Sequence, residues 1–283
     1  MIDLVNDQIH APAFQKFCDF IWSPDPSCPY VNGVIQQYNP KMKIFNRKAP
    51  IKQNKGVIYV GICQLIEDAL EYIPNHGNYI VIHRTNDRSF TEAMYKKKPE
   101  SVKHIYTVDC QVNYPDVSAI PIGLATILGE DEIIKEAVKK EVTPASTLVF
   151  VRYNVNNSGY TQDRIDSLGV LKYKPFCKVV THQIPGDEFY HEIKAHRFTM
   201  SLRGCGADAC RTWSAICLGS IPIVSDCIEM RHFEDLPLVY CPKEFNITKD
   251  WLDSIDVSGK STERMRMSYW SNHISDMKKR HKI

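Results

Sequence analysis

The stretch KGVIYVGICQLIEDALEYIPNHGNYIVIHR, residues 55–84, decides the fold class of this chain. It contains two short apolar runs typical of strands, at 55–62 and 79–84. Between them, the apolar residues of 63–73 recur at helical spacing, and a turn follows at Pro74–Asn78. Strand, helix and strand in this order form a βαβ unit, and such units build parallel sheets. The stretch therefore predicts an α/β fold.

The rest of the chain repeats this alternation. Further strands are predicted at 104–110, 118–124, 147–155, 178–183, 198–204, 221–226 and 238–241, with helices at 161–170, 186–197 and 208–218. A charged amphipathic helix at 129–146 separates two α/β series and is interpreted as the connection between two domains. The first 50 residues hold six prolines and are predicted to be irregular. We expect Rossmann-like domains at 1–140 and 141–265, and a C-terminal helix at 266–283 that packs on the first domain.

Charge and cysteine usage restrict the function classes. The chain has 35 Lys and Arg against 33 Asp and Glu, so nothing in its overall charge favours nucleic-acid binding. No apolar run reaches the roughly 18 residues that a membrane span needs, and the start of the sequence lacks a signal-peptide pattern. The ten cysteines form no Cys-x-x-Cys pair, which indicates reduced thiols. These features predict a soluble, cytoplasmic protein whose anion binding is local.

One such local site is indicated by RGCGADACR at 203–211, between a predicted strand and a predicted helix. Its glycines allow close approach of a ligand, and the helix start offers free N–H groups to a phosphate. Arg203 and Arg211 add positive charge, so the segment suits a diphosphate. A plain tight turn would also explain the glycines.

Asp208 fits this interpretation less directly, because a diphosphate repels a carboxylate. It could cap the following helix, or it could accept hydrogen bonds from the hydroxyls of a ribose or sugar. The segment is not a P-loop, which needs Gly-Lys-Ser/Thr. A nucleotide-binding oxidoreductase is disfavoured too, because no Gly-rich fingerprint follows the strand at 58–61.

The longer stretch FTMSLRGCGADACRTWSAICLGSIPIVSD, 198–226, resembles the signature of exostosin-like glycosyltransferases. LVFVRYNVNNSGYTQDR at 148–164 and VSAIPIGL at 117–124 are also similar to segments of that family. The resemblance covers roughly residues 100–250. It implies a GT-B architecture, in which two Rossmann-like domains face each other across a cleft and the C-terminal one holds a nucleotide-sugar donor. It also implies an inverting transfer.

Carried over position by position, the resemblance assigns the donor diphosphate and ribose to Arg203, Gly204, Gly206, Asp208 and Arg211. Ser214 stands where many relatives have the Glu of Arg-x-Trp-Glu, so its grip on the ribose would be weak and Asp208 could replace it. Arg152 and Asn154 end the first strand of the second domain. They could contact the leaving diphosphate, or they could be ordinary surface residues.

The mechanism that follows is metal-independent. The sequence has no Asp-x-Asp pair to hold a divalent cation against the diphosphate, so arginines and a helix start would neutralise the leaving group. No metal and no cofactor are expected. The general base of an inverting transfer should follow a strand of the first domain. Asp87 is preferred and His83 is second, with Asp109 also available, although a turn aspartate and a structural histidine are equally ordinary explanations.

The predicted function is transfer of a sugar, xylose or a similar one, from a nucleotide diphosphate donor, for which a UDP-sugar is expected. The acceptor would be a hydroxyl of an oligosaccharide or a glycoprotein glycan. The alternative is a catalytically inactive protein that binds carbohydrates or nucleotide sugars, for which Ser214 is the best argument.

Overall fold

The computed structural model describes residues 4, 6–9, 11–25, 27, 39–61, 65–84, 88–125, 129–155 and 161–283. It is an α/β structure with two separate sheets, each built of parallel strands. The chain divides into two compact units. We call residues 10–122 with 267–283 the six-stranded unit, and residues 1–9 with 123–266 the five-stranded unit. The predicted α/β class with two parallel sheets is confirmed, and these sheets are compatible with two Rossmann-like domains.

The strands, in chain order, are β1 Phe20–Trp22, β2 Lys43–Phe45, β3 Lys55–Val60, β4 Asn78–His83, β5 Val102–Thr107, β6 Val117–Ala119, β7 Val149–Val151, β8 Cys177–Val179, β9 Phe198–Ser201, β10 Ile221–Val224 and β11 Val239–Tyr240. The α-helices are α1 Ile66–Tyr72, α2 Glu92–Tyr95, α3 Glu130–Lys139, α4 Thr161–Leu171, α5 Gly186–Ala195, α6 Cys210–Leu218, α7 Ile228–Arg231, α8 Lys249–Ser254 and α9 Met267–Arg280. Short 3₁₀ helices span Ala11–Phe17, Lys243–Phe245 and Glu263–Met265.

The six-stranded sheet has the order β2-β1-β3-β4-β5-β6. Its outer strands β1 and β2 lie in the part of the chain predicted to be irregular, and that prediction is wrong for these residues. Trp22 of β1 is fully buried, and its ring packs at 5.1 Å from Phe45 and 5.4 Å from Tyr72. Each strand has only three residues. Pairing of β1 with β3 and of β2 with β1, together with this aromatic packing, stabilises strands in a segment whose prolines predict irregular structure.

Strands β3 and β4 form the centre of this unit. Val57, Ile58, Tyr59 and Val60 of β3 are all fully buried, because both faces of a parallel sheet are covered. This explains why the sequence shows continuous apolar runs there rather than alternation. Helix α9 buries Trp270, Ile274 and Met277, and Tyr106 of β5 is hydrogen-bonded to His273 at 2.7 Å. The C-terminal helix is thus part of the six-stranded unit.

Helix α3, interpreted from the sequence as the domain connection, belongs to the five-stranded unit. Its Ile134 is fully buried, and Lys194 of α5 donates from Nζ to the carbonyls of Ala137 and Val138 at 2.9 and 2.8 Å. A lysine ammonium at this position satisfies carbonyls that the helix end leaves unpaired. The chain passes between the units at residues 122 and 123, earlier than the boundary expected near residue 140.

The five-stranded sheet has the order β11-β10-β9-β7-β8. Its core is built from buried apolar residues of β7, β9 and β10, including Val149, Phe198 and Ile223, together with Ile247 and Leu252. Strands β7 and β9 are direct neighbours, with Val149 opposite Phe198. The segments that follow these two strands therefore emerge side by side.

Candidate functional site

Most of the predicted donor-binding residues meet at one edge of the five-stranded sheet. Arg152 and Asn154 follow β7, and the loop at 203–208 follows β9. Because β7 and β9 are parallel neighbours, both segments lie at the carboxyl edge of the sheet. Ligands of open α/β sheets bind outside this edge.

Arg164 of α4 ties the two segments together. Its guanidinium donates from Nη1 to the carbonyl of Asn154 at 2.7 Å, from Nε to that of Arg203 at 2.9 Å, and from Nη2 to that of Leu202 at 3.3 Å. The side chain is buried, with 4% of the residue exposed. Arg164 is a positioning residue that the sequence analysis missed.

Gly204 packs directly against this arginine. A Cβ at position 204 would lie 2.5 Å from Nη2 of Arg164 and 3.2 Å from its Cζ. The amide of Gly204 also donates to the carbonyl of Gly206 at 2.9 Å, so the two glycines form a tight turn. The absence of a side chain at 204 is therefore needed for protein packing, independently of any ligand.

Arg211 lies in the first turn of α6, with its guanidinium over the rings of Tyr153 at 5.6 Å and Phe189 at 5.8 Å. Its Nε and Nη1 atoms are shielded from solvent and have no hydrogen-bond partner within the described part of the chain. Burial, reinforced by repulsion from Arg164 and Arg152, lowers the pKa of Arg211 to about 10. The group stays protonated at neutral pH, as a half-buried cation whose shielded Nε and Nη1 lack a hydrogen bond within the described residues.

Arg152 shares one of these rings, because its guanidinium lies 5.8 Å from the centre of Phe189. We call Arg152, Arg164 and Arg211 the arginine cluster. Three guanidiniums held against two aromatic rings at a sheet's carboxyl edge form a strongly positive, partly desolvated surface. The cluster can hold a multiply charged anion.

Arg203 points elsewhere. Its amide donates to Oγ of Ser225 at 3.0 Å, and its Nη2 lies 3.9 Å from Oε1 of the buried Glu229. Part of its charge is therefore compensated by a carboxylate of α7. Of the two arginines in the 203–211 segment, Arg211 is the one that joins the arginine cluster.

Asp208 is buried and accepts a hydrogen bond at 2.6 Å from Nε1 of Trp213. The N-cap position of α6 is Ala209, so the alternative in which Asp208 caps this helix is wrong. Helix α6 begins one residue later than such a cap requires. The carboxylate instead fixes the indole of Trp213, whose ring packs at 5.1 Å against Phe233.

Ser214 is fully buried, and its Oγ donates back to the carbonyl of Cys210 at 3.0 Å. Its hydroxyl is also a hydrogen-bond neighbour of Tyr190, which is in turn hydrogen-bonded to Glu130 of α3. The amide of Ala125 donates to Oε2 of Glu130 at 3.1 Å. Burial raises the pKa of Glu130, and the hydrogen bond from Tyr190 and attraction to Arg211 oppose this only in part. A carboxylate thus reaches the neighbourhood of Ser214 from a different helix.

The candidate base His83 lies in the six-stranded unit, at the end of β4. It is buried, and its Nδ1 is 2.9 Å from Oγ1 of Thr107, which donates to the carbonyl of Val108. Burial, with repulsion from Arg84 and Arg88, lowers the pKa of His83 to about 3. A neutral imidazole of such low basicity suits a structural histidine better than a general base working near neutral pH.

The preferred base, Asp87, lies outside the described residues. Asp109 follows β5 and is buried, with φ at 47° in the left-handed region that aspartate tolerates better than most residues. Its carbonyl accepts from the amide of Phe90 at 2.9 Å. Both Asp109 and His83 thus lie at the carboxyl edge of the six-stranded sheet.

No protein-family model matches the chain, and a search of the curated proteins finds no significant match. Within the described residues, no helix is long and apolar enough to cross a membrane. The same residues contain no group of three or more His, Cys, Asp and Glu side chains placed to hold a metal ion. None of the eight cysteines that the structure describes takes part in a disulfide.

Proposed function

We propose that the arginine cluster binds the diphosphate of a nucleotide-sugar donor, and that the protein is an inverting, metal-independent glycosyltransferase of the exostosin-like, GT-B type. The donor would be a UDP-sugar carrying xylose or a similar sugar, and the acceptor a hydroxyl of an oligosaccharide or glycoprotein glycan. The observation that carries this proposal is Arg211, a half-buried guanidinium whose solvent-shielded Nε and Nη1 have no hydrogen-bond partner in the described protein.

Such an arrangement is costly unless an anion completes it. A buried, unpaired charge destabilises a fold by several kcal/mol, and Arg211 is further repelled by Arg164 and Arg152. A diphosphate would supply both the missing acceptors and the opposite charge. In a partly desolvated site such contacts are stronger than in water, and they would stabilise the charge that develops on the leaving group.

Glu130 supports the part of the proposal that concerns binding of the donor's ribose. It brings a carboxylate beside Tyr190 and Ser214, at the position where the sequence resemblance leads one to expect a glutamate. We propose that Glu130, from α3, accepts the hydrogen bonds of the ribose hydroxyls. Asp208 is less suited to this role, since its carboxylate already holds Trp213.

Donor binding is tested by titrating UDP and UDP-xylose into the protein by calorimetry, with EDTA present. Arg211→Gln should weaken binding about a hundredfold, the usual scale for removing a buried charged partner. The control is Arg197→Gln, at the amino edge of the same sheet, where Nη2 of Arg197 donates to the carbonyl of Ile255. Failure of the wild type to bind either ligand, or equal affinities for both variants, would overturn the proposal.

The inactive binding protein remains the second candidate, favoured by Ser214 and by the low basicity of His83. Asp87→Asn distinguishes the two. In a transferase whose base is Asp87, this variant binds UDP-xylose normally and loses turnover on an oligosaccharide acceptor. Wild-type protein that binds the donor and transfers nothing would establish the binding protein instead.

A further inference from the structure

The six-stranded unit contains a cavity of about 1050 Å³ that the proposed transfer reaction does not use. It lies at the amino edge of the sheet, where β1, β2 and β3 begin, whereas His83 and Asp109 lie at the carboxyl edge. Six lysines line it: Lys16, Lys41, Lys43, Lys52, Lys55 and Lys278. We call this cavity, lined by these six lysines, the lysine cavity.

The positive charge of this cavity is almost uncompensated. Of its described lining residues, Asp19 is the one acidic side chain, and Oδ2 of Asp19 accepts from the amide of Val57 at 2.8 Å. The ion pairs found within the described parts of the chain include none of the six lysines. Since the whole protein has a net charge of +2, this concentration is local.

The segments that carry the lysines are held to one another by hydrogen bonds. Nδ2 of Asn39 donates to the carbonyls of Gln15 and Cys18 at 3.3 and 2.8 Å, which joins the segments bearing Lys16 and Lys41. The amide of Asn78 donates to the carbonyl of Asn54, and its Nδ2 donates to that of His281. The cavity therefore has a fixed frame from which flexible lysine side chains extend.

We propose that the lysine cavity binds a compact anion that carries several phosphate groups. Lysine ammoniums act as point charges toward phosphate and need no fixed planar geometry. The Debye length is about 8 Å at physiological ionic strength, so charges set around one cavity act on a ligand together. Asn39, Gln53 and Asn54 add amide groups that can bond to the ligand's hydroxyls or phosphate oxygens.

The shape of the site favours a compact anion over a nucleic acid. Nucleic-acid binding needs a basic face or stripe that follows the phosphate backbone. Here the lysines surround a concavity, and its volume is at the upper end of the range for small-molecule sites. A small, multiply phosphorylated molecule can place its charges near several of the six lysines at once.

The test uses myo-inositol hexakisphosphate as a probe, measured by calorimetry at low salt. Substituting Lys43→Gln, Lys52→Gln and Lys55→Gln together should weaken its binding about tenfold or more. The matched control neutralises three exposed lysines of the five-stranded unit, by Lys139→Gln, Lys172→Gln and Lys249→Gln, and should leave the affinity unchanged. If the first variant folds poorly, Lys16→Gln, Lys41→Gln and Lys278→Gln together test the other three lysines of the cavity.

Three outcomes would overturn the proposal. The first is absence of binding to the wild type, and the second is an equal loss in the cavity and control variants. The third is tighter binding of a single-stranded oligonucleotide than of the probe through the same lysines, which would identify a nucleic-acid surface. None of these results depends on whether UDP binds at the arginine cluster.

Discussion

The arginine cluster and the lysine cavity are both positive, but the protein holds their charges in opposite ways. Arg164 and Arg211 are packed against rings and carbonyls, and their geometry is set by the fold. Most lysines of the cavity are exposed at the starts of strands and loops, and they take part in no ion pair among the described residues. A guanidinium has five donors in a rigid plane, whereas an ammonium is a mobile point charge.

This difference indicates what each site can discriminate. Fixed, partly desolvated donors select a ligand by the position of its oxygens, and exposed ammoniums select it mainly by total charge. The same difference also predicts that substitutions at the two sites have different energetic consequences. Changing the arginines should alter the stability of the protein, while changing the lysines should alter binding alone.

Arg164→Gln should have the largest effect. Three backbone carbonyls lose their charged donor, so we expect the free energy of unfolding to fall by about 3 kcal/mol. Urea denaturation followed by circular dichroism measures this. The control Arg197→Gln, in an exposed arginine, should change stability by less than about 0.5 kcal/mol. Similar small losses in both variants would show that Arg164 does not hold the site together.

Gly204→Ala should lower the free energy of unfolding by about 2 kcal/mol, a typical value for an overpacked core. The new methyl group would meet Nη2 of Arg164, which cannot move without giving up its hydrogen bonds. Thermal denaturation provides the measurement. Gly169→Ala is the matched control, because Gly169 lies within α4 with nothing within 4 Å of the added carbon. That helix position should gain stability on substitution, since alanine favours a helix over glycine.

Arg211→Met should change stability in the opposite direction. Replacing a half-buried cation that neighbouring arginines repel by an apolar side chain of similar length should stabilise the unliganded protein by about 1 kcal/mol. The same variant should lose UDP binding. A melting temperature that falls, with UDP binding retained, would mean that Arg211 is structural and that the cluster does not contact the diphosphate.

The triple variant of Lys43, Lys52 and Lys55 should show the smallest stability change, within about 0.5 kcal/mol of the wild type. Its lysines form no ion pair in the described structure, so their removal breaks no ion pair there. Chemical denaturation in the absence of any polyanion is the appropriate measurement. If the free energy of unfolding falls as far as it does in Arg164→Gln, the lysines also stabilise the fold and the two sites do not differ in this respect.

The central strands could be predicted from the sequence, because their residues carry the signal locally. Val57–Val60 form a continuous apolar run, which a strand covered on both faces requires. The same holds for the strands at 78–83 and 198–201. Strands β1 and β2 could not be predicted, since each spans three residues and exists through pairing with a neighbour distant in the chain.

The candidate site was predictable in part for the same reason. Residues 152, 154 and 203–211 were found because they directly follow apolar strands, and parallel neighbours bring such segments to one edge. Arg164, Phe189 and Glu130 lie on helices, and no spacing pattern marks them as site residues, although Arg164 ends the segment 148–164 that resembles the family. They reach the site through packing between helices and strands that are far apart in the chain. A periodicity of two or 3.6 residues predicts an element but does not predict which distant residues that element contacts.

The sequence by itself determined the α/β class, the central strands and the loop after β9 that holds Gly204. Tertiary structure alone decided that Arg211 joins the cluster while Arg203 turns to Glu229, that Glu130 stands near Ser214, and that six lysines surround one cavity. The physical reason is that backbone pattern depends on neighbouring residues. The charge and burial of a side chain depend on whatever the completed fold places against it.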